Sequence, residues 1–347
     1  MSLWIAQNFV PLMFLGLFFI LLSGIPVAFG LAATGLLFGY IGMELSNVHP
    51  DVLHIGASLF QALPLRVFGI MQNDTLLAIP FFTLMGIILE RSGMAEELLE
   101  TVGQVFGPVR GGLAIAVILV GALLAATTGV VAAAVISMGL ISLPIMLRYG
   151  YNRTIATGTI TASGTLAQAI PPSLVLIVLA DQLGRSVGDM YAGAMIPGLV
   201  LVVLYMAFVL VMTLIKPQSA PALPPEARTL RGGAMFTRVL TSLVPPLVLI
   251  FLVLGTIFIG LATPTEGGAM GAVGALILAL MRRKLDFDLL NQAMDKTAKL
   301  TCFAIFILIG ATVFGLVFRA LDGDLWVEHL LINLPGGKIG FLLAVNA

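Results

Sequence analysis

Between Arg110 and Arg148 the chain carries 37 residues, 111–147, without a single charge, and a basic side chain stands at each end. A hydrocarbon core about 30 Å thick is crossed by roughly 20 helical residues, so the run is too long for one span. By the positive-inside rule both ends belong in the cytoplasm, which a single crossing does not allow. Two full spans would use nearly every residue and leave no turn outside. The stretch therefore reads as a re-entrant hairpin: two half-length helices meeting at a tip, Ala125-Ala126-Thr127-Thr128-Gly129. Threonine and glycine are poor helix formers, and at membrane depth irregular backbone is tolerated only where it faces protein or a wet cavity.

The rest of the chain is of the same kind. Of its 347 residues 59% are apolar and 10% charged, with a mean hydropathy of +1.11. A soluble domain carries about 25% charged residues, so this is an integral membrane protein, expected to be all-α and polytopic. Seventeen basic residues balance seventeen acidic ones, which removes a global field for nucleic acid. One cysteine, Cys302, excludes an intrachain disulfide and a cysteine metal cluster. His49, His54 and His329 fall in polar connections, and no HExxH or intramembrane carboxylate pair is present, so metalloprotease and intramembrane protease chemistry drop out. Residues 1–43 hold no Lys or Arg, so no cleaved leader is expected.

Residues 9–43 are uncharged and, as one helix, would measure about 50 Å, so a break belongs at Ser23-Gly24-Ile25-Pro26 between spans 9–24 and 27–43. These and the polar stretch to residue 75 form an N-terminal helix pair and outer loop, 1–75. The first repeat, 76–215, begins with a short span at 76–89. Residues 94–108 place Glu96, Glu97 and Glu100 opposite leucines and valines, the pattern of a helix on the membrane surface. After the hairpin 111–147 comes a broken helix, 154–181: residues 157–165, TGTITASGT, are Gly, Ser or Thr at seven of nine positions, and Pro171-Pro172-Ser173 interrupts the helix further on. A span at 195–215 closes this unit. Residues 216–238, with four basic residues to one acidic, form a cytoplasmic loop. From 239 the pattern starts again with opposite orientation: spans 240–262 and 267–280 around a Thr263-Pro264-Thr265-Glu266 turn, a span at 300–318, and an apolar segment from Ile339. Residues 239–347 therefore read as the start of a second, inverted and incomplete repeat, with a weak echo of residues 82–86 (FTLMG) in 306–310 (FILIG).

Inverted repeats with interrupted helices build the sites of secondary transporters, because freed carbonyls replace water around a cation and freed amides face an anion. The expected cation site comprises Thr127, Thr128 and Gly129 at the tip with Gly158, Ser163, Gly164 and Thr165 on a loosened helix. Pro172 and Ser173, opening the second half-helix, are expected to face a substrate carboxylate. Gly, Ser and Thr also serve as close-packing residues in membrane helices, and each position carries that second reading. Glu266 is read as a solvated turn residue, and Arg282-Arg283-Lys284 as a topology anchor.

Residues 76–98 (LLAIPFFTLMGIILERSGMAEEL), 121–147 (GALLAATTGVVAAAVISMGLISLPIML), 150–176 (GYNRTIATGTITASGTLAQAIPPSLVL) and 263–272 (TPTEGGAMGA) together resemble the large membrane subunit, DctM type, of the tripartite ATP-independent periplasmic (TRAP) transporters. The resemblance implies an elevator-type symporter in the bacterial inner membrane. It would take up organic acids, C4-dicarboxylates or related carboxylates, with Na⁺ as coupling ion and no other cofactor. It also implies a small four-helix membrane subunit and a periplasmic substrate-binding protein as partners. The family's inner hairpin corresponds to the Thr127 to Gly129 tip, and its first broken helix to Gly158 through Ser173. The tip departs from the Gly-Ser-Ser pattern of many members. The family continues into an outer hairpin, a second broken helix and a last span, so the sequence is expected to be C-terminally truncated. Two alternatives remain open at this point: a single-component ion-coupled anion transporter, and a non-transporting scaffold or fragment.

Overall fold

The computed structural model describes residues 2–128, 131–228, 232–332 and 335–346. Among them there are helices and turns but no strand, and six helices are long and apolar enough to cross a membrane. The chain is an all-α multi-pass membrane protein, as its composition requires: with no water in the core, each segment must satisfy its own backbone groups.

The first of two units comprises Met1–Asn73 and Cys302–Ala347. It holds α1 (Ser2–Gln7), α2 (Phe9–Leu22), α3 (Val27–Val48), α4 (Ser58–Gln61) and α5 (Leu63–Met71). The expected break between α2 and α3 is present: Gly24 takes φ +81° and Pro26 caps α3. Glycine on one face lets α3 lie close against the far half of a long helix, α15 (Phe287–Ala320); a Cβ on Gly35 would sit 2.9 Å from the backbone of Val313 and Phe314. Phe9, Met13, Leu53, Ile55 and Val317 form the core. Helices α16 (Gly323–Ile332) and α17 (Gly337–Asn346) come after α15.

The second unit, Asp74–Thr301, opens with a 3₁₀ turn, Asp74–Leu77, and continues through α6 (Ala78–Arg91), α7 (Met94–Phe106), α8 (Gly112–Thr128), α9 (Val131–Arg148), α10 (Arg153–Ala169), α11 (Leu174–Leu183), α12 (Val187–Ile215), α13 (Gly232–Phe258) and α14 (Pro264–Met281). Helices α6 and α14 meet along a glycine face, where Gly268 approaches Phe81 and Phe82 and Gly271 approaches the Met85 sulfur. The Thr263–Glu266 turn is a capping box: Thr263 accepts from the Glu266 amide, and Glu266 Oε2 accepts from the Thr263 amide at 2.8 Å. Thr265 donates to the Asp74 carbonyl at 2.7 Å and ties this helix start to the 3₁₀ turn. Glu266 is exposed as expected, but its task is to begin a helix.

Helix α7 corrects its sequence reading. Met94, Leu98, Leu99 and Val102 are buried, and the helix packs on α6, α8 and α13. The face assigned to lipid is covered by protein, and the acidic face is occupied as well. Glu97 binds the Arg282 guanidinium and accepts from Ser242 at 3.0 Å, with Arg238 3.5 Å away; Arg282 also donates to the Thr241 carbonyl at 2.7 Å. Arg282, read as a topology anchor, thus clasps α7 to the ends of α13 and α14.

Candidate functional site

The uncharged run folds as a hairpin of α8 and α9, whose junction, residues 129–130, lies outside the described residues. Its feet stand together. The Leu113 amide donates to the Tyr151 hydroxyl at 3.2 Å, and burial pushes that phenol up to about 12, so it stays neutral at physiological pH. Of residues 216–238, read as a cytoplasmic loop, 232–238 already belong to α13 and 216–228 form a strap across both feet. Its Ser219 and Ala220 carbonyls accept from Asn152 and Gly111 at 2.8 and 2.9 Å, and its Leu223 amide donates to Gly107 at 2.9 Å. Arg228 closes the strap by donating twice to the Leu223 carbonyl, at 2.9 and 2.6 Å. The arms have 17 and 18 residues, so each is about 26 Å long, more than the half-length helices that the charge argument assumed.

Helix α10 lies between the arms and packs on both. Gly121 of α8 faces Ser163: a Cβ there would come within 2.6 Å of the Ser163 Cβ. Gly164 faces Val135 of α9, with that residue's amide nitrogen and Cα 3.1 and 3.2 Å from a Cβ on the glycine. These two approaches fix the register. Helices α8 and α10 run parallel, so six residues beyond Gly121 and Ser163 the backbone of Thr127 is level with Ala169. Helix α9 runs the other way, and counting back four residues from Val135 brings its start, Val131, to the level of Gln168. The ends of both arms therefore arrive at the depth where α10 stops.

What stops α10 is Pro171-Pro172, joined by a cis peptide bond, since proline offers no amide to continue the ladder. Ile170 and Ser173 are extended, and Ser173 caps α11. Gly198 of α12 allows close approach to this break, its added Cβ falling 3.1 Å from the Ala169 carbonyl oxygen. Pro171, Pro172 and Ser173 are all buried, and the Ser173 hydroxyl has no hydrogen-bond partner among the described residues. A buried hydroxyl left unpaired costs about 1–3 kcal/mol, so a group bound here would gain a hydrogen bond from Ser173.

The sequence-predicted residues divide accordingly. The backbone of Thr127 and Thr128 closes α8; their side chains, and Gly129 entirely, lie outside the described residues. Pro172 and Ser173 sit at the break as expected. Gly158, Ser163, Gly164 and Thr165, by contrast, lie in an unbroken helix whose carbonyls are engaged by the helical ladder, so this stretch is not loosened. Ser163 donates to Ile160 at 2.9 Å and Thr165 to Ala162 at 2.7 Å. Ser163 and Gly164 are buried against the hairpin, while Gly158 and Thr165 are on the opposite, exposed face. The structure brings the ends of α8 and α9 close to the level of the break but does not place Gly158 and Ser163 on one side. Further buried hydroxyls without partners among the described residues were missed, Thr83 on α6 and Tyr191 on α12 among them. These two stand in apolar helices among residues that look like ordinary core.

Residues 14–347 match the family model described as "Tripartite ATP-independent periplasmic transporter, DctM component". The chain is 32% identical over 287 residues to the C4-dicarboxylate TRAP transporter large permease protein DctM of Pseudomonas aeruginosa, covering 82% of this chain and 66% of that protein. It is 26% identical to the sialic acid TRAP transporter large permease protein SiaM of Vibrio cholerae, over 94% and 72% of the two chains. The isethionate TRAP transporter permease protein DctMQ of Oleidesulfovibrio alaskensis is 25% identical, with 93% of this chain matching 50% of that one. The chain thus spans between half and three quarters of the length of these relatives. Together with the six helices among the described residues that are long and apolar enough to cross a membrane, the matches make it a multi-pass protein of the bacterial inner membrane and a transporter component, not an enzyme. It belongs to the DctM family, the large permease component of the TRAP transporters.

Proposed function

We propose that this chain forms the membrane pathway of a Na⁺-coupled secondary transporter that imports organic acids, dicarboxylates or related carboxylates. A periplasmic binding protein delivers the substrate, and a small four-helix membrane subunit completes the permease. The relatives' names speak of C4-dicarboxylate, sialic acid and isethionate, three organic anions. The observation that carries the reading for this chain is the helix break level with the hairpin ends, with the buried Ser173 hydroxyl unpaired at the amide end of α11. A helix start is a positive dipole end with free donors, suited to a carboxylate. In this reading Pro172 and Ser173 face the substrate, and Thr127, Thr128 and Gly129 supply oxygens to the coupling Na⁺. Of the remaining expected cation residues, Ser163 and Gly164 hold the hairpin at its depth, and Gly158 and Thr165 belong to the outer face. Conversion between outward and inward states uses the elevator scheme implied by the inverted-repeat pattern of residues 76–215 and 239–347.

Uptake of radiolabelled succinate, sialic acid and isethionate into proteoliposomes holding the permease, its small subunit and its binding protein tests the proposal. An inward Na⁺ gradient should raise uptake of one of these acids, and Ser173→Ala should lower it at least tenfold. Uptake that is indifferent to Na⁺ removes the coupling, and uptake without any binding protein removes the three-component assignment.

A further inference from the structure

Between α10 and α12, with Ile118 of α8 at its edge, runs an apolar crevice of about 330 Å³. Its walls are Ile155, Gly158 and Ala162 of α10 facing Tyr205, Phe208 and Met212 of α12. The two helices are antiparallel, so Thr154 pairs in level with Met212, and Ala162 with Tyr205. The crevice thus extends over two helical turns, about 12 Å, along the helix axes. Gly158 opens its floor: a Cβ there would meet nothing within 4 Å. Phe208 is 61% exposed at the rim.

One end of the crevice is marked by charge. Arg153 adjoins Thr154 at the amide end of α10, and Lys216 stands one turn beyond Met212 at the end of α12. Asn152 donates to the Ser219 carbonyl at 2.8 Å, and the Ser219 amide donates to the Lys216 carbonyl at 3.0 Å, so the strap draws the two cations to one mouth. Both are exposed, and among the described residues neither is in an ion pair, since those present engage Glu97, Glu100 and Asp295 with other cations. By the positive-inside rule this mouth lies at the cytoplasmic leaflet, where anionic lipids concentrate.

An apolar slot two turns deep that ends in two such cations and a helix amide terminus is complementary to a chain with an apolar tail and an anionic head. We propose that the α10–α12 crevice is a binding site for an anionic glycerophospholipid, one acyl chain lying over Gly158 and the phosphate held between Arg153 and Lys216. A neutral zwitterionic lipid would keep the tail contact and lose the net attraction at the mouth.

Native mass spectrometry of the chain released from nanodiscs of equimolar phosphatidylglycerol and phosphatidylcholine tests this. Phosphatidylglycerol should be retained preferentially. Arg153→Gln with Lys216→Gln should lower its retention about twenty-five-fold, at about fivefold per basic residue near a membrane surface. Both side chains are exposed and outside the ion pairs, so the double variant should elute as a single folded species. Gly158→Leu, which fills the floor, should lower retention of both lipids. Equal retention of the two lipids by the unaltered chain, or unchanged phosphatidylglycerol retention in either variant, overturns the proposal. So does efficient crosslinking of Phe208→Cys, in a Cys302→Ser background, to the small membrane subunit in native membranes, because the slot would then be a protein interface.

Discussion

Gly121→Ala puts a methyl group where the hairpin and α10 are closest. The new Cβ would stand 2.6 Å from the Ser163 Cβ and 2.9 Å from its Oγ, distances that packed side chains do not tolerate, while the Ser163 carbonyl carbon at 3.4 Å is an ordinary contact. Over-packing of this kind costs about 1–3 kcal/mol, and the glycine-to-alanine change inside a helix returns about 0.8–1 kcal/mol. The single variant should therefore lie between near-neutral and about 2 kcal/mol less stable. Ser163→Gly removes both offending atoms at a propensity cost of roughly 0.5 kcal/mol, since the Ser163 hydroxyl bonds only within its own helix. In that background Gly121→Ala should stabilise by its full propensity gain. A double-mutant cycle, measured by denaturant titration in mixed micelles, should then return a coupling of about 1–3 kcal/mol. As a control, Gly139→Ala on α9 would find its nearest neighbour, the Ile160 Cγ2, at 4.0 Å, and should be neutral or stabilising. A cycle that closes additively, within about 0.3–0.5 kcal/mol, would refute the contact and with it the register that levels the hairpin ends with the break.

The same geometry has four other expected outcomes. Glu97→Ala strips Arg282 of its carboxylate and leaves Arg238 with Glu100, and should cost about 1–2 kcal/mol in the same titration, with α7 the first helix to gain hydrogen exchange. Thr263→Ala removes the side-chain half of the capping box, the acceptor for the Glu266 amide, while the amide at 263 still donates to Glu266, and should cost about 1 kcal/mol. Ser173→Ala deletes a buried hydroxyl that has no partner among the described residues, so stability should hold or rise by up to about 1 kcal/mol while uptake falls, a separation that a purely structural serine would not give. Arg228→Ala should loosen the strap, and the amides of Gly111 and Asn152 should exchange faster with solvent while those in the middle of α10 do not.

The breaks were legible in the sequence because proline acts locally: the α2–α3 break and the α10–α11 break stand where Pro26 and Pro171-Pro172 put them. The charge-free run reads as a hairpin with both feet on one side, and the strap bonds hold Gly111, before α8, near Asn152, before α10. What could not be read was which small residues bind and which pack. Glycine and serine are equally suited to a ligand's approach and to a helix's approach, and the choice depends on whether Val135 or open space lies opposite. The Glu97 clasp was hidden for a similar reason. An amphipathic helix has the same pattern whether its apolar face meets lipid or protein, and Arg238 and Arg282 lie 141 and 185 residues away in sequence. The strap escaped because its bonds are between main-chain groups, which side-chain chemistry does not reveal.

The depth of the hairpin ends is set far from them. Counting along α8 from the feet, Gly121 lies about 13 Å in and Thr127 about 22 Å in, so the contact that fixes the register is below the level of the break. A change at Gly121, Ser163 or Gly164 would therefore move Thr127 and Thr128 relative to Pro171-Pro172 without touching any of them. Interiors and helix contacts this close do not deform smoothly, so such a change should appear as a loss of apparent affinity for both ion and substrate, with no change in which acid is preferred. Preference is expected to depend on the groups at the break itself. A Gly164→Ala permease whose substrate preference changed while its Na⁺ dependence stayed intact would mean that TGTITASGT meets the ligand directly. The unbroken ladder of α10 and the internal bond from Ser163 to Ile160 argue against that.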